Sequence, residues 1–381
     1  MIKSFTATTR EIEDAQAAVA EIKAALNIEK NLLKNSLGIV SCFSDFEESG
    51  VLKAVCQALP FDCIGSTTCM CAAGREIDQI ILVITVLTSD DCSFKTAAVP
   101  ITDKYADTIN SALTGMLNQS AEKPALFLGY FPLMNNVSGD MILAAIDRVT
   151  GGIPIFGTVA IDHTMDYSTS KTIHNGEMFR ESAVLCAIFG NPDFSFDVAS
   201  IDENKIKKQK GIITGSYGNI LVSVNNKPAV DYFEEIGVTK TELSNGLGLI
   251  PLVIDQDATK PIARAVFALT PDGNAVCGGI MPVNAALSIA RIGRDDILNT
   301  TETTLKTLVA KDGCILSYSC LARYLAMGAD YKAEGEKVQG LIKNARYHFA
   351  CSSGEICPLP DASGRLKNYF HNYTNVFCRI S

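Results

Sequence analysis

The sequence predicts an α+β fold, with two mixed β-sheet domains and helices packed on them. Three observations carry this expectation. Short apolar runs alternate with period two, as at Phe194–Ala199 and Tyr347–Cys351. Segments with helical apolar spacing fall between them in irregular order, which disfavours a repeated strand–helix–strand fold. A lysine-rich stretch, Lys205–Lys210, then breaks the apolar pattern, and a fresh strand–helix start follows at Asn219. That break divides the chain into 1–210 and 211–381, each expected to have its own core. Two domains suit a chain of 381 residues. The lysine stretch reads as a solvated linker, with an anion site as the sharper alternative.

Taken in order, Thr8–Asn27 reads as an amphipathic helix. Thr8 or Thr9 would cap it, Glu11 would close a capping box, and Ile12, Ala15, Val19, Ile22 and Leu26 would form one face. Leu37–Phe43 follows as a strand, and Glu47–Leu59 as a helix ended by Pro60. Phe61–Gly65 is a short strand running into Ser66-Thr67-Thr68-Cys69, a turn of small residues. Gln79–Thr88 and Ser93–Val99 read as a hairpin around Ser89-Asp90-Asp91. Asp103–Leu117 is a helix, Ala125–Tyr130 a strand, and Ser138–Arg148 a helix capped by Ser138. Ile153–Ile161 is a strand, and Asn175-Gly176 is a hairpin signal before the strand Ser182–Phe189. Beyond the lysines come the strand Asn219–Asn225, the helix Ala229–Ile236 behind Pro228, and a short helix near Lys240–Asn245. Leu249–Asp255, Ala263–Thr270, Asn274–Met281 and Ala285–Ile292 are strands. Arg294–Val309 and Asp330–Lys343 are helices on either side of the strand Cys314–Ser319.

Composition excludes several classes. The net charge is −9, whereas nucleic acid or an anionic membrane asks for a basic surface, so neither is expected as a partner. No apolar run approaches the ~20 residues that cross a bilayer. The first residues lack an export signal, and thirteen cysteines then point to reduced thiols in the cytoplasm. The cysteines are scattered without a paired CxxC, so no metal is expected. Signatures for dinucleotides, P-loop nucleotides, zinc proteases and α/β-hydrolases are missing, and no cofactor is expected.

The most site-like stretch is the last thirty-odd residues. The strand Tyr347–Cys351 runs into Ser352, Ser353 and Gly354, then a single acid, Glu355. Gly354 permits a turn that other residues resist, and Pro358 and Pro360 forbid an immediate helix. After a polar loop, His371-Asn372-Tyr373-Thr374 leads into a final strand, Asn375–Ile380. His348 points to the opposite face of its strand from Cys351, which weakens a Cys–His pair.

These residues resemble the FIST sensory proteins, which carry an N-terminal and a C-terminal FIST domain. Cys63-Ile-Gly-Ser-Thr67 resembles the N-terminal domain's strand into a small-residue turn. Gly152–Gly157 with Ala160-Ile-Asp162 resembles its later apolar strand. Asn226–Tyr232, Ile315–Cys320 with Ala322-Arg323, Ser353-Gly354-Glu355-Ile356 and His371–Thr374 resemble segments of the C-terminal domain. The resemblance spans Ser36 to Ser381. In one departure, Arg75 separates Gly74 from Glu76 where the family's first turn continues into Gly-Glu-Ile. The resemblance implies a cytoplasmic sensory protein that binds a small molecule, with amino acids or related metabolites as candidates. Signal output would pass to a separate signalling protein.

The candidate ligand site combines Ser352, Ser353, Gly354, Glu355, Asn372 and Thr374 with Arg323, and extends to Ser66, Thr67 and Asp162. Glu355 would meet a ligand ammonium, Arg323 a carboxylate, and the hydroxyls and turn N–H groups would complete the polar shell. No catalytic residue is assigned. The alternatives are an enzyme using Cys351 or a carboxylate, and an interaction scaffold without a ligand.

Overall fold

A computed structural model describes residues 1–134, 136–164, 167–208, 210–239, 242, 250–256, 258–342 and 346–381. In chain order, a first set of elements comprises β1 (Lys3–Thr9), α1 (Ala15–Leu26), β2 (Asn35–Cys42), α2 (Val51–Gln57), β3 (Asp62–Thr67), a hairpin of β4 (Cys71–Ala73) and β5 (Glu76–Asp78), and β6 (Leu82–Ser89). The second set repeats the order: β7 (Ser93–Pro100), α3 (Tyr105–Leu117), β8 (Leu126–Phe131), α4 (Gly139–Thr150), β9 (Ile155–Val159), the hairpin β10 (Thr172–His174) and β11 (Glu177–Phe179), and β12 (Ser182–Phe189). The third set opens with β13 (Phe194–Ala199) and is interrupted by an inserted sheet. That sheet runs from β14 (Gly211–Tyr217) through β15 (Ile220–Val224), β16 (Lys227–Pro228), α5 (Ala229–Glu235), β17 (Leu252–Ile254), β18 (Ile262–Arg264), β19 (Val266–Leu269) and β20 (Ala275–Cys277) to β21 (Ala286–Ile289). The third set then resumes with α6 (Arg294–Leu308), β22 (Cys314–Cys320), α7 (Ala333–Leu341), β23 (Tyr347–Ser352), the hairpin β24 (Glu355–Pro360) and β25 (Leu366–His371), and β26 (Asn375–Ile380).

Three six-stranded sheets result, with one shared plan. Their orders are β1-β6-β2-β3-β10-β11, β7-β12-β8-β9-β24-β25 and β13-β26-β22-β23-β4-β5. In each, the third and fourth strands are parallel and every other pair is antiparallel. The hairpins are exchanged in a cycle. The hairpin after β3 extends the third sheet, the one after β9 the first, and the one after β23 the second. The fold is therefore α+β with mixed sheets, as the alternation predicts. The expectation of two separately cored halves is corrected, because two of these sheets draw strands from both sides of residue 210.

The strands read as near-continuous apolar runs because both faces are buried. Leu37 and Ile39 of β2, Leu126, Leu128 and Tyr130 of β8, and Leu316 and Tyr318 of β22 face one shared core. Their alternate neighbours face outward: Val40 and Cys42 toward α1 and α2, Phe127 and Phe131 toward α3 and α4, and Ile315 toward α6 and α7. A few polar groups also sit between the sheets, each paired. The Tyr130 and Tyr318 hydroxyls are 2.6 Å apart, and His348 lies 2.8 Å from Ser41 Oγ and 3.1 Å from Thr85 Oγ1. Burial lowers the His348 pKa to about 3, so the ring is neutral in the folded protein.

Several elements differ from expectation. Gln79–Thr88 and Ser93–Val99 do not pair as a hairpin: β6 pairs with β1 and β2 in the first sheet, and β7 with β12 in the second, so the chain changes sheet at Ser89-Asp90-Asp91. The first helix starts at Ala15, not Thr8; Lys3–Thr9 is a strand paired along its length with β6. Asp14, not a threonine, caps that helix by accepting from Gln16 N and Ala17 N. The stretch after Glu355 is the hairpin β24–β25 and not a polar loop. Its prolines fit because β9 pairs only with Glu355 and Ile356, leaving Pro358 and Pro360 beyond that ladder. Asn175 and Gly176 turn the β10–β11 hairpin with positive φ at both residues, as expected. The helix expected near Lys240–Asn245 lies outside the described residues.

Candidate functional site

The hairpin exchange gathers the ends of three equivalent strands. Thr68 Oγ1, just past β3, donates to Cys351 O of β23 at 2.9 Å. Ser353 N donates to Val159 O of β9 at 3.1 Å, and Val159 N donates to Gly354 O at 2.8 Å. Ile161 N, past β9, donates to Thr67 O at 3.4 Å, which closes the ring. The two small-residue turns that echo each other in the sequence, around Ser66-Thr67 and Ser352-Ser353, therefore meet at one end of the molecule, with Asp162 alongside.

Within this ring the Ser352–Glu355 turn is tightly bonded. Ser352 Oγ accepts from Thr158 Oγ1 at 2.6 Å and from Gly354 N at 3.0 Å, and donates to Gly354 O at 2.7 Å. A Cβ on Gly354 would lie 2.3 Å from Phe370 Cζ, so glycine is needed there for space. Glu355 is fully buried, and Thr374 Oγ1 donates to its Oε2 at 2.7 Å. Glu355 Oε1 has no partner among the described residues. Burial raises the Glu355 pKa well above the usual carboxylate range, against the opposing hydrogen bond of Thr374. A protonated, enclosed acid is poorly suited to meet a ligand ammonium. Asn372 spans the turn and the inserted sheet, accepting from Ala265 N at 3.2 Å and donating to His371 O at 2.9 Å.

Arg323 is near enough for its charge to act on Glu355, but its donors are taken. It ion-pairs with Glu334 at 2.7 Å and also donates to Thr301 Oγ1 and to the carbonyls of Ala199, Ile297 and Tyr373. No donor is left for a ligand carboxylate. Burial alone would raise the Glu334 pKa; the charge and hydrogen bonds of Arg323 outweigh it and hold the carboxyl below its usual range. The other polar candidates are also engaged. Thr67 exchanges hydrogen bonds with Lys171, and Asp162 accepts from Thr164, Thr169 and Ser170 and so organises its own loop. Ser66 is buried in β3 opposite Thr172. Burial, then a hydrogen bond donated by the thiol to Cys69, pushes Cys351 well above its ordinary pKa, the reverse of what a nucleophile needs.

Open space lies beside the ring. A cavity of about 360 Å³ sits where the ring, the start of α4 and the strands β19–β20 of the inserted sheet come together. Ser353 lines it, with Val159, Phe370, Ser138, Gly139 and Cys277 among its walls. Of the residues singled out from sequence, only Ser353 reaches it as a candidate ligand contact; for Ser138 the sequence suggests no role beyond a helix cap. Ser138 makes no capping bond to the backbone and donates instead to Asp140 Oδ1 at 2.5 Å. Asp140 fixes the wall by accepting from Ile280 N at 2.5 Å and from Arg264 at 3.4 Å. Arg264, 2 % exposed, also donates to Phe370 O at 3.0 Å. The lining is mostly apolar, with hydroxyls at Ser353 and Ser138 and an amide at Asn219. The signal that could have marked it is Gly139, where a Cβ would lie 2.4 Å from Phe370. Among the described residues, no cluster of His, Cys, Asp or Glu is arranged to hold a metal ion.

Residues 36–227 match the FIST N domain and residues 229–358 the FIST C domain. The second match includes Glu355-Ile356 and ends before His371–Thr374. No curated protein matches the chain. Among solved structures, a cyanuric acid hydrolase from A. caulinodans is 7% identical, covering 99% of this chain and 98% of that one, with a TM-score of 0.38. A second cyanuric acid hydrolase, described as an evolutionary innovation by structural concatenation, is 9% identical, covers 100% and 99%, and has a TM-score of 0.37. Likeness at that level carries no argument about this chain's chemistry. The two domain matches together span most of the sequence: the chain belongs to the FIST family and carries both of its domains, which are sensory domains of signal-transduction proteins.

Proposed function

We propose that this protein is a cytoplasmic small-molecule sensor whose ligand occupies the cavity at Ser353. The observation that carries the reading is the cavity itself. It has the size of a small-metabolite site, a mainly apolar wall and a few convergent polar groups. It also touches three parts of the fold: a strand-end turn, a helix start and the inserted sheet. A ligand there can alter how the inserted sheet sits on the rest, and so pass a signal to a separate signalling protein. Amino acids and related metabolites are the class to test first. The apolar lining favours those with an apolar side chain over charged ones. Residues 1–210 and 211–381 are proposed as two sequence modules rather than two cores. All thirteen cysteines are free and buried, which supports a reducing compartment.

A thermal-shift screen against apolar amino acids and small carboxylates tests this. A ligand at 100 times its Kd adds about 2.7 kcal/mol, a rise of several degrees for a chain of this size. Ser353→Trp, which fills the cavity, should remove the rise. If no compound of these classes shifts the protein, or Ser353→Trp responds as the wild type does, the cavity is not the sensing site.

A further inference from the structure

A second cavity, of about 380 Å³, opens where the connection from β13 to β14 passes the ends of β17 and β21 and the loop before β18. It lies apart from the Ser353 cavity and shares no lining residue with it. Among the described residues, four lysines line it, Lys207, Lys208, Lys210 and Lys260, against two carboxylates, Glu203 and Asp255. That excess of positive charge stands out in a chain with a net charge of −9. Two of the lysines have partners. Lys260 Nζ bonds Asp197 Oδ1 at 2.5 Å and Val198 O at 2.6 Å, and Lys207 Nζ donates to Ile236 O at 3.2 Å. Lys208 and Lys210 are exposed and, among the described residues, form no ion pair. Apolar side chains line the same cavity, Ile206, Val253, Ala258 and Pro261, together with the hydroxyls of Thr259 and Ser288.

We propose that this cavity binds a small phosphorylated organic molecule, its phosphate against Lys208 and Lys210 and its organic body against Val253, Ala258 and Pro261. An anion gains most where cations lack internal partners, and lysine is a common point-charge binder of phosphate. A solvated linker accounts for exposed lysines; it does not account for their lining a concavity together with apolar side chains. The bound molecule would bridge the connection from β13 and the edge of the inserted sheet. The site is separate from the cavity at Ser353, with which it shares no lining residue, and the proposal does not rest on a ligand there.

Inorganic pyrophosphate is the probe, read by titration calorimetry and thermal shift on the full chain. Binding is expected to weaken as salt rises. Lys208→Gln with Lys210→Gln should lower affinity about tenfold or more, the loss expected for charge-assisted hydrogen bonds. Lys208→Arg with Lys210→Arg should retain binding, as should Lys23→Gln on α1. The proposal is overturned if the wild type shows no binding at ~1 mM, the scale of a weak metabolite complex. It is equally overturned if the double glutamine variant binds as the wild type does, or if sulfate at matched ionic strength gives the same shift.

Discussion

Glu355 and Arg323 are both buried ionisable residues, and they behave in opposite ways. Glu355 is fully buried with, among the described residues, no cation in contact, and burial outweighs its hydroxyl partner and holds its folded pKa well above the ordinary value. The folded protein keeps a proton that the unfolded chain loses above about pH 4.5, so stability from this group falls as pH rises through that value. Glu355→Gln mimics the protonated form. Its melting temperature relative to wild type should therefore increase between about pH 5 and pH 8; a pH-independent difference would show that the carboxylate is ionised in place. Arg323 and Glu334 form a fully bonded ion pair at 1 % and 4 % side-chain exposure. Glu334→Gln leaves the guanidinium buried without its counter-charge and should cost about 3–5 kcal/mol in urea unfolding. Glu302→Gln removes an acid from the exposed pairs with Lys306 and Lys337 and should change little. Equal losses in the two variants would refute the buried-pair reading.

At the scale of elements, two of the three parallel strand pairs depend on glycines in equivalent places. A Cβ on Gly65 of β3 would lie 1.8 Å from Val40 O, and one on Gly157 of β9 would lie 1.8 Å from Gly129 O. Both positions sit just before the strand ends that build the ring. Gly65→Ala or Gly157→Ala should destabilise by about 1–3 kcal/mol or more, as over-packing does, and lower soluble yield. At Gly115, in α3, a Cβ would have nothing within 4 Å. Gly115→Ala should stabilise by roughly 1 kcal/mol through helix propensity. Chemical denaturation of the three variants separates close approach from a general effect of adding a methyl group.

At the scale of the whole molecule, the exchanged hairpins tie the chain together across the lysine stretch. Lys207, Lys208 and Lys210 are exposed, so limited trypsin treatment should cut there early. The two pieces should still elute together under native conditions. β13 pairs with β26, β4 with β23 and β24 with β9, so three strand pairings span the cut. Pieces that separate on a sizing column without denaturant would show that the two halves hold themselves together independently after all.

The sequence alone determined which segments alternate, which are helical and where small residues end strands. The turn at Asn175-Gly176, the apolar strands and the echo between Ser66-Thr67 and Ser352-Ser353 were all legible, because each is a local pattern of side-chain size, polarity and backbone freedom. Strand partners were not legible. Period-two alternation reports which faces are buried, and an apolar strand reads the same whichever sheet it joins. Thus the stretch after Glu355 reads as a polar loop until β9 and β25 supply its partners, and Thr8-Thr9, the end of β1, read as a helix start until β6 supplies theirs. The role of Arg323 was undecided for the same reason: Glu334 sits in a different helix, and only packing brings the two within 2.7 Å. The cavity at Ser353 is likewise a product of tertiary structure, since its walls come from three elements far apart in the chain, and no local pattern can encode the gap between them.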